Sequence, residues 1–311
     1  MMMNQEVIDE KYMRRCIQLA RNGMQNAKPN PMVGAVIVCD GRIIGEGYHV
    51  RCGEGHAEVN AFASVKPEDG ALLSKSTLYV SLEPCSHYGR TPPCADLIIS
   101  KGVPRVVVGC IDPFAKVQGR GIRKLRDAGI DVTVGVLEKE CTELNKRFIT
   151  FNTHHRPYII LKWAQTANGF IDDHFRPTMI STPFTQMLSH RLRAENDAIL
   201  VGRITDERDH PQLNIRNWSG RDPLRLVLSH STDIPSLLAS LYAQNIQSLI
   251  VEGGAKTHQS FLAADLWDEI RVETAPLTAT DGTRAPQLPA DIKTVESNSY
   301  DGNVITVYEK I

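Results

Sequence analysis

The sequence has no apolar run approaching the roughly 18 residues that cross a bilayer, and its mean hydropathy is -0.23. A membrane-spanning helix is excluded. It has no excess of either charge, with 35 Lys plus Arg against 36 Asp plus Glu and a net charge of -1, so no global field draws in nucleic acid or an anionic membrane surface. Small-molecule partners are expected. The start, Met1-Met2-Met3-Asn4-Gln5-Glu6, lacks the basic and apolar regions of a secretory leader, and a cytoplasmic location is expected. A disulfide framework is missing too: the seven cysteines form an odd, scattered set, which suits a reducing compartment and metal or packing roles. There is no internal repeat, low-complexity tract or coiled-coil heptad. No G-x-G-x-x-G follows any predicted strand, so an ordinary Rossmann dinucleotide fold is not supported. What is present is ordinary for a folded chain, 42% apolar and 23% charged, far from the signature of disorder. Its 311 residues suffice for two domains of roughly 150 residues each.

Along the first half, Tyr12, Met13, Cys16, Ile17, Leu19 and Ala20 recur at helical period within 9–27, stopped by Lys28-Pro29-Asn30-Pro31. Two β-rich runs, 33–39 and 42–48, flank Asp40-Gly41, a pair that accepts the positive φ of a tight hairpin turn. Further β-runs at 77–82, 105–110 and 131–136 alternate with helices near 56–65, 94–101 and 118–128, which predicts a largely parallel sheet after the hairpin. A helical stretch from 138 to about 151 runs into the polar, Pro-ended segment Asn152-Thr153-His154-His155-Arg156-Pro157. That segment reads as a linker and divides the chain into 1–151 and 152–311. The second half repeats the α/β alternation, with strands expected at 158–164, 198–202, 224–229, 247–251, 269–274 and 304–309. Helices fit 183–195, 234–243 and 255–264.

The strongest chemical signal combines His56-Ala57-Glu58, Pro84-Cys85 and Pro93-Cys94. One His and two Cys are a good Zn²⁺ donor set, and three protein ligands leave the fourth tetrahedral position open, as catalytic sites require. His56 and Glu58 lie roughly 200° apart on a continuous helix, so both reach one metal only if they open a helix that points end-on at it. Cys94 follows Pro92-Pro93, and Pro favours the first helical turn, so this thiolate is expected at a positive helix end. Glu58 is assigned as a proton shuttle rather than a ligand, which makes hydrolytic deamination the expected chemistry. The competing readings are a structural zinc site, or two core cysteines and an incidental histidine, but structural sites carry four protein ligands and need no Glu two residues after the His. The remaining cysteines, Cys16, Cys39, Cys52, Cys110 and Cys141, lie in apolar or unclustered contexts that suit inert thiols.

These motifs resemble the zinc nucleobase deaminases, whose signature pairs H-x-E with P-C-x-x-C. The spacing departs from that form, with eight residues, Ser86 to Pro93, between the cysteines instead of two. Together with Pro29-Asn30-Pro31 and His49, the longer insert resembles the deaminase half of the bifunctional riboflavin-biosynthesis deaminase-reductases. The resemblance implies a cytidine-deaminase-like three-layer α/β/α domain, and it makes Asn30, His49, Glu83, His87, Arg90 and Thr91 candidate substrate contacts. Asp112-Pro113, Val117 and Gly119-Arg120-Gly121 also match the family's loop after its fourth strand, departing at Phe114-Ala115.

In the second half, 249–255 reads as an apolar strand ending in Gly253-Gly254 and opening a helix, where free backbone N–H groups can hold a pyrophosphate. Lys162-Trp163-Ala164-Gln165-Thr166, His190-Arg191-Leu192-Arg193, Val201-Gly202 with Thr205 and Asp209, Pro211-Gln212-Leu213 with Arg216, and Glu252-Gly253-Gly254 resemble the reductase domain of the same family in order and spacing. The resemblance implies a dihydrofolate-reductase-like α/β fold that binds NADPH and reduces a phosphoribosyl group to phosphoribityl. NADPH contacts are then expected at Ala164, Thr205, Asp209, Gly254, Ala255, Lys256, Thr257, His258, Gln259 and Ser260, and substrate contacts at Arg193, Leu213, Arg216 and Glu252. Arg193 and Arg216 suit a phosphate dianion as forks. Asn168, Arg203 and Glu207-Arg208 depart from the family pattern. The expected enzyme is a homo-oligomer that uses one Zn²⁺ per chain and NADPH on a small phosphorylated pyrimidine. The alternative is a deaminase of another nucleobase or nucleoside whose second domain only binds a nucleotide.

Overall fold

The computed structural model describes residues 4–88, 92–113, 118–229 and 232–311. The chain divides into two compact units, residues 1–153 and 154–311.

In the first unit, helix α1 (Gln5–Ala20) precedes a hairpin of β1 (Gly34–Cys39) and β2 (Arg42–Tyr48). Then come α2 (Ala57–Ala63), β3 (Thr77–Leu82), α3 (Cys94–Ser100), β4 (Arg105–Cys110), α4 (Arg120–Asp127), β5 (Asp131–Val134), α5 (Glu138–Leu144) and α6 (Lys146–His154). The sheet order is β2-β1-β3-β4-β5; β1 pairs antiparallel with β2 and β3, and the β3–β4 and β4–β5 pairs are parallel. Every residue of β1 is buried, because both faces of the sheet are covered. One face carries Ala35, Ile37, Leu78, Val80, Val106 and Val108 against apolar side chains of α2, α3 and α4. The other carries Val36, Val38, Tyr79 and Val107 against Tyr12, Met13, Cys16 and Ile17 of α1 and Cys141 of α5. Each fully buried Ile or Leu contributes about 1.5–3 kcal/mol, so three α/β/α layers follow from strands with no solvent face.

Two expectations shift. The first helix begins at Gln5 rather than 9, where Asn4 caps it by accepting from the Glu6 N–H at 3.4 Å. The expected linker is half helix: Asn152 Nδ2 donates to the Phe148 carbonyl and Thr153 Oγ1 to the Ile149 carbonyl, both at 2.8 Å. These polar side chains bond back to their own helix, which continues to His154 before His155, at φ 57°, and Pro157 end it. The unit border therefore falls two residues beyond the expected 151/152 division.

The second unit runs β6 (Tyr158–Thr166), α7 (Pro183–Ala194), β7 (Ala198–Gly202), α8 (Arg203–Asp209), β8 (Leu224–Leu228), α9 (Ile234–Ala243), β9 (Ser248–Gly253), α10 (Ala255–Ala263), β10 (Glu269–Ala275), β11 (Ile292–Tyr300) and β12 (Asn303–Lys310). Its sheet order is β11-β12-β10-β6-β9-β7-β8. The β12–β10 and β11–β12 pairs are antiparallel and the others parallel. Ile159, Leu161, Trp163, Leu200, Leu249, Val251, Phe261, Trp267 and Ile270 form the main core. Sequence periodicity missed β11, which is exposed along nearly its whole length; an edge strand held by main-chain pairing has no apolar face to announce it. It missed α8 for the same reason, since none of its seven residues is buried.

Candidate functional site

The first unit gathers its chemistry where two helices begin. His56 is the N-cap of α2, with extended φ -68° and ψ 169°, and Glu58 lies in the first turn, the end-on arrangement that the H-x-E spacing demanded. Cys94 is the first residue of α3 after Pro93, and Cys85 lies just beyond the end of β3. The Cys94 N–H donates to Cys85 Sγ at 3.2 Å, and Ala95 N–H donates to the Cys85 carbonyl at 3.1 Å. The start of α3 thus clasps the residue that ends the strand. His56 Nδ1 lies 3.3 Å from Cys94 Sγ and 3.6 Å from Cys85 Sγ, and the three donor atoms all fall within 4.8 Å of one another. Hydrogen bonding from Cys94, then from His56, pulls the Cys85 thiol well below its usual range, so the site already favours a thiolate. Two soft sulfurs and one imidazole, converging with no fourth side-chain ligand among the described residues, fit a zinc ion with an open coordination position. Glu58 is 3% exposed, and burial, reinforced by Cys85, pushes its carboxyl up to about 7.

Around this centre, Asn30 Nδ2 lies 3.0 Å from His49 Nε2, and His49 Nδ1 lies 3.1 Å from the Gly55 carbonyl. The carbonyl only accepts, so Nδ1 carries the hydrogen and Nε2 accepts from the Asn30 amide. Burial holds His49 below the usual imidazole value, and its ring meets that of His56 edge-on at 5.4 Å. Glu83 is placed otherwise: its carboxylate accepts from the N–H groups of Asp112, Gly119, Gly121 and Ile122 at 2.9–3.4 Å. It holds the chain entering α4 against Pro84, so closely that a Cβ on Gly121 would lie 1.9 Å from the Pro84 carbonyl. His87 is exposed. Arg90 and Thr91 lie outside the described residues, as do Phe114, Ala115 and Val117. A supporting residue that sequence reading missed is Asn145, 2% exposed, whose amide exchanges two hydrogen bonds with the Met32 backbone at 2.8 and 2.9 Å. A polar residue ending a short helix gave no sign of this long-range contact.

The second unit holds two adjoining cavities of about 310 and 380 Å³. Thr205, Arg208 and Gly254 line both. Of the expected cofactor contacts, Ala164, Asp209 and His258 line the first, and Ala255, Lys256, Thr257 and Ser260 line the second. The wall between them needs glycine: a Cβ on Gly254 would lie 2.9 Å from Thr205 Oγ1, and one on Gly202 would lie 2.3 Å from Thr257 Oγ1. This close approach of β7, α8 and the start of α10, whose first residues line a cavity, is a cradle that fits a nucleotide pyrophosphate. Gln259 is exposed and lines neither cavity. His258 is 1% exposed, and its Nε2 donates to the Val251 carbonyl at 3.0 Å.

Arg193, Arg216 and Glu252 line the first cavity, but not independently. Arg193 Nε donates to Glu252 Oε1 at 2.9 Å and Nη2 to Oε2 at 2.6 Å, while Nη1 donates to the Asn214 carbonyl at 3.0 Å. The Arg193 fork therefore faces Glu252, and Arg216, exposed and held at 3.0 Å by Asn214 Oδ1, is the freer cation. Leu213 does not line the cavity; its side chain packs with Tyr158, Ile160, Leu192 and Ile199. Lys162 and His190, absent from the expected contacts, do line it. A lone Lys within an apolar strand was the legible signal for the first.

In the second unit each departure from the family pattern finds a local partner. Asn168 Oδ1 accepts from Ala279 N–H at 3.1 Å while its Nδ2 donates to the Ala279 carbonyl at 2.7 Å, a reciprocal pair that a carboxylate could not complete. Arg203 pairs with Glu207 at 2.9 Å, and Arg208 joins Asp209 at 2.7 Å to the buried Asp172 at 3.2 Å.

Comparison with known proteins agrees with this geometry. Residues 6–110 match the cytidine and deoxycytidylate deaminase zinc-binding region, and residues 157–237 and 231–301 match the RibD C-terminal domain. The riboflavin biosynthesis protein RibD of Aquifex aeolicus is 37% identical, aligned over 88% of this chain and 89% of the relative. That of Escherichia coli is 35% identical over 90% and 91%. A crystal structure of a Thermotoga maritima diaminohydroxyphosphoribosylaminopyrimidine deaminase/5-amino-6-(5-phosphoribosylamino)uracil reductase superposes with a TM-score of 0.91 at 34% identity, covering 99% of this chain and all of that one. A three-donor centre on a deaminase-like unit, a glycine cradle on a second α/β unit and relatives spanning nearly the whole sequence lead to one conclusion: the chain belongs to the RibD family of bifunctional riboflavin-biosynthesis enzymes, with a zinc-binding deaminase domain followed by a reductase domain.

Proposed function

We infer that the chain deaminates 2,5-diamino-6-(5-phosphoribosylamino)pyrimidin-4(3H)-one and then reduces the ribosyl group, giving 5-amino-6-(5-phosphoribitylamino)uracil. The deaminase activity is assigned to the first unit and the reductase activity to the second, which divide within two residues of the expected 1–151 and 152–311. The observation that carries the reading is the three-donor centre with a buried carboxyl two residues from its histidine.

His56, Cys85 and Cys94 would hold a zinc ion, which would supply the Lewis acidity that makes water nucleophilic near neutral pH. Glu58 takes a proton from the attacking water and returns it to the departing exocyclic nitrogen, so the ring exchanges an amine for an oxygen and ammonia leaves. Asn30, oriented by His49, offers its amide to the ring edge. In the second unit a bound NADPH would supply a hydride for C1′ of the opened sugar, with the accompanying proton coming from solvent. The Gly254 cradle and the start of α10 would hold the cofactor's pyrophosphate with Thr205 and Asp209 beside it, and Arg216 with Lys162 would meet the substrate phosphate. Among the described residues the acidic groups lining that cavity, Asp209 and Glu252, are both paired with arginines, so positioning carries the reduction. The balanced charge supports small-molecule rather than nucleic-acid partners, and the scattered free cysteines support a cytoplasmic setting. The open edge of β11 supports a homo-oligomer.

The test is mass spectrometry of the diaminopyrimidinone phosphate after incubation with zinc-loaded protein, with and without NADPH. Replacement of amine by oxygen without NADPH, and gain of two hydrogens only with it, is the expected result. Loss of the amine alone would leave a deaminase with a nucleotide-binding appendage, and no change would overturn the reading.

A further inference from the structure

His190, on α7, is 2% exposed yet lines the 310 Å³ cavity. Its Nδ1 lies 2.8 Å from the Asn214 carbonyl; that oxygen only accepts, so Nδ1 carries the hydrogen and the neutral ring presents a lone pair at Nε2. Burial, with the Arg193 charge second, holds the ring below its usual value and hence neutral. Among the described residues nothing bonds to Nε2. Among the described residues the fully buried side-chain polar atoms without a partner are Asp173 Oδ1 and His258 Nδ1, so Nε2, on a ring that lines the cavity, is not sealed in protein.

Its neighbours make that lone pair significant. Lys162 and Arg216 only donate, Glu252 is engaged by Arg193, and Asp209 by Arg208. A sugar phosphate brings acceptors at its phosphate and donors at its hydroxyls. The cations suit the first; the second need an acceptor that does not repel the phosphate, as a carboxylate would. We propose that His190 Nε2 accepts a hydrogen bond from a sugar hydroxyl at the phosphate-bearing end of the reductase substrate, with the Asn214 carbonyl fixing the ring in the tautomer that does so. This rests on the two-step reading above and deepens it: His190 becomes a substrate-binding residue that selects a hydroxylated chain.

Two substitutions separate the roles of the two nitrogens. In His190→Asn the side-chain amide sits near Nδ1 and keeps the donor to Asn214, but nothing replaces Nε2; in His190→Gln the amide reaches the Nε2 position and offers its carbonyl, while the Asn214 bond is lost. The full-length chain is assayed by NADPH consumption on the deaminated pyrimidine phosphate, alongside deamination and thermal unfolding. The expected result is that His190→Asn raises the pyrimidine KM about tenfold, the effect of one lost hydrogen bond of about 1.4 kcal/mol, with NADPH KM, deamination and Tm unchanged. His190→Gln retains a KM near that of the unsubstituted chain but a lower Tm. A KM increase in His190→Gln that equals or exceeds that in His190→Asn would overturn the proposal in favour of a purely structural ring, as would two variants that both bind like the parent. If the unsubstituted chain itself fails to oxidise NADPH with this substrate, the functional reading falls first and this inference with it.

Discussion

The Arg193–Glu252 pair carries a large stability effect that can be worked from its geometry. The two side chains are 13% and 8% exposed and are joined by two parallel hydrogen bonds of 2.6 and 2.9 Å. Glu252→Gln keeps the shape but removes the charge, leaving a guanidinium in a nearly dry site with an amide nitrogen turned toward one of its donors. Removing one partner of a buried pair costs about 3–5 kcal/mol, against about 0–1 kcal/mol for an exposed pair. Because Arg193 keeps its bond to the Asn214 carbonyl, the expected loss is about 3 kcal/mol, a Tm decrease of about 6–12 °C for a unit of this size. All three tryptophans, Trp163, Trp218 and Trp267, lie in the second unit, so tryptophan fluorescence during unfolding reports that unit alone even if the two units melt separately. The double variant Arg193→Met/Glu252→Leu should recover most of the loss, since apolar replacement of a buried pair is often neutral or better. The acid limb gives a second check. Burial pushes the Glu252 carboxyl up, but Arg193 outweighs it and holds the folded value below the ordinary 4.5. Its contribution is therefore complete above about pH 4.5 and fades as the pH falls through the lowered folded value, so parent and Glu252→Gln should converge in acid. A single-variant loss below about 1 kcal/mol, or a double variant as unstable as the sum of its parts, would refute the reasoning.

Other outcomes follow from the same structure. Glu58→Gln should keep zinc, read by metal analysis, while deamination falls by about 10²–10⁴ and NADPH-dependent reduction of the deaminated pyrimidine stays intact. Arg216→Ala should raise the pyrimidine KM of reduction without changing deamination, because its guanidinium is exposed and, among the described residues, held by Asn214 Oδ1; equal loss of both activities would count against separate sites. Asn168→Asp would turn a carboxylate oxygen toward the Ala279 carbonyl and should lower second-unit stability by about 1–3 kcal/mol, measured by tryptophan fluorescence in urea.

Much of the candidate site was legible because its chemistry is local in sequence. His56 and Glu58 share one helix start, Cys94 follows a pair of prolines, and Gly253-Gly254 joins a strand to a helix, so residue type and spacing nearly specify the backbone that presents them. Partnerships across long sequence distances were not legible. Nothing near Arg193 indicates that its fork meets Glu252, 59 positions on, or that Glu83 spends both oxygens on the backbone of 112–122. Leu213 matched a family position, yet its side chain packs into the core. His190 stood within a recognised motif, but its availability emerges only from the Asn214 carbonyl that fixes its tautomer.

The same division holds for the fold. Periodic burial named the strands with two covered faces, and turn chemistry named the hairpin, because each such residue must find an apolar or hydrogen-bonded setting wherever the chain goes. The polar edge strand β11, the unburied α8 and the helical continuation through 152–154 left no such mark; they exist because a neighbouring strand, an ion pair or a back-bonded side chain satisfies their polar groups. Donor identity, helix starts and the glycine turn are properties of short stretches of chain. Which donor is spent on the protein and which remains for a ligand depends on residues tens of positions apart, and packing alone brings those together.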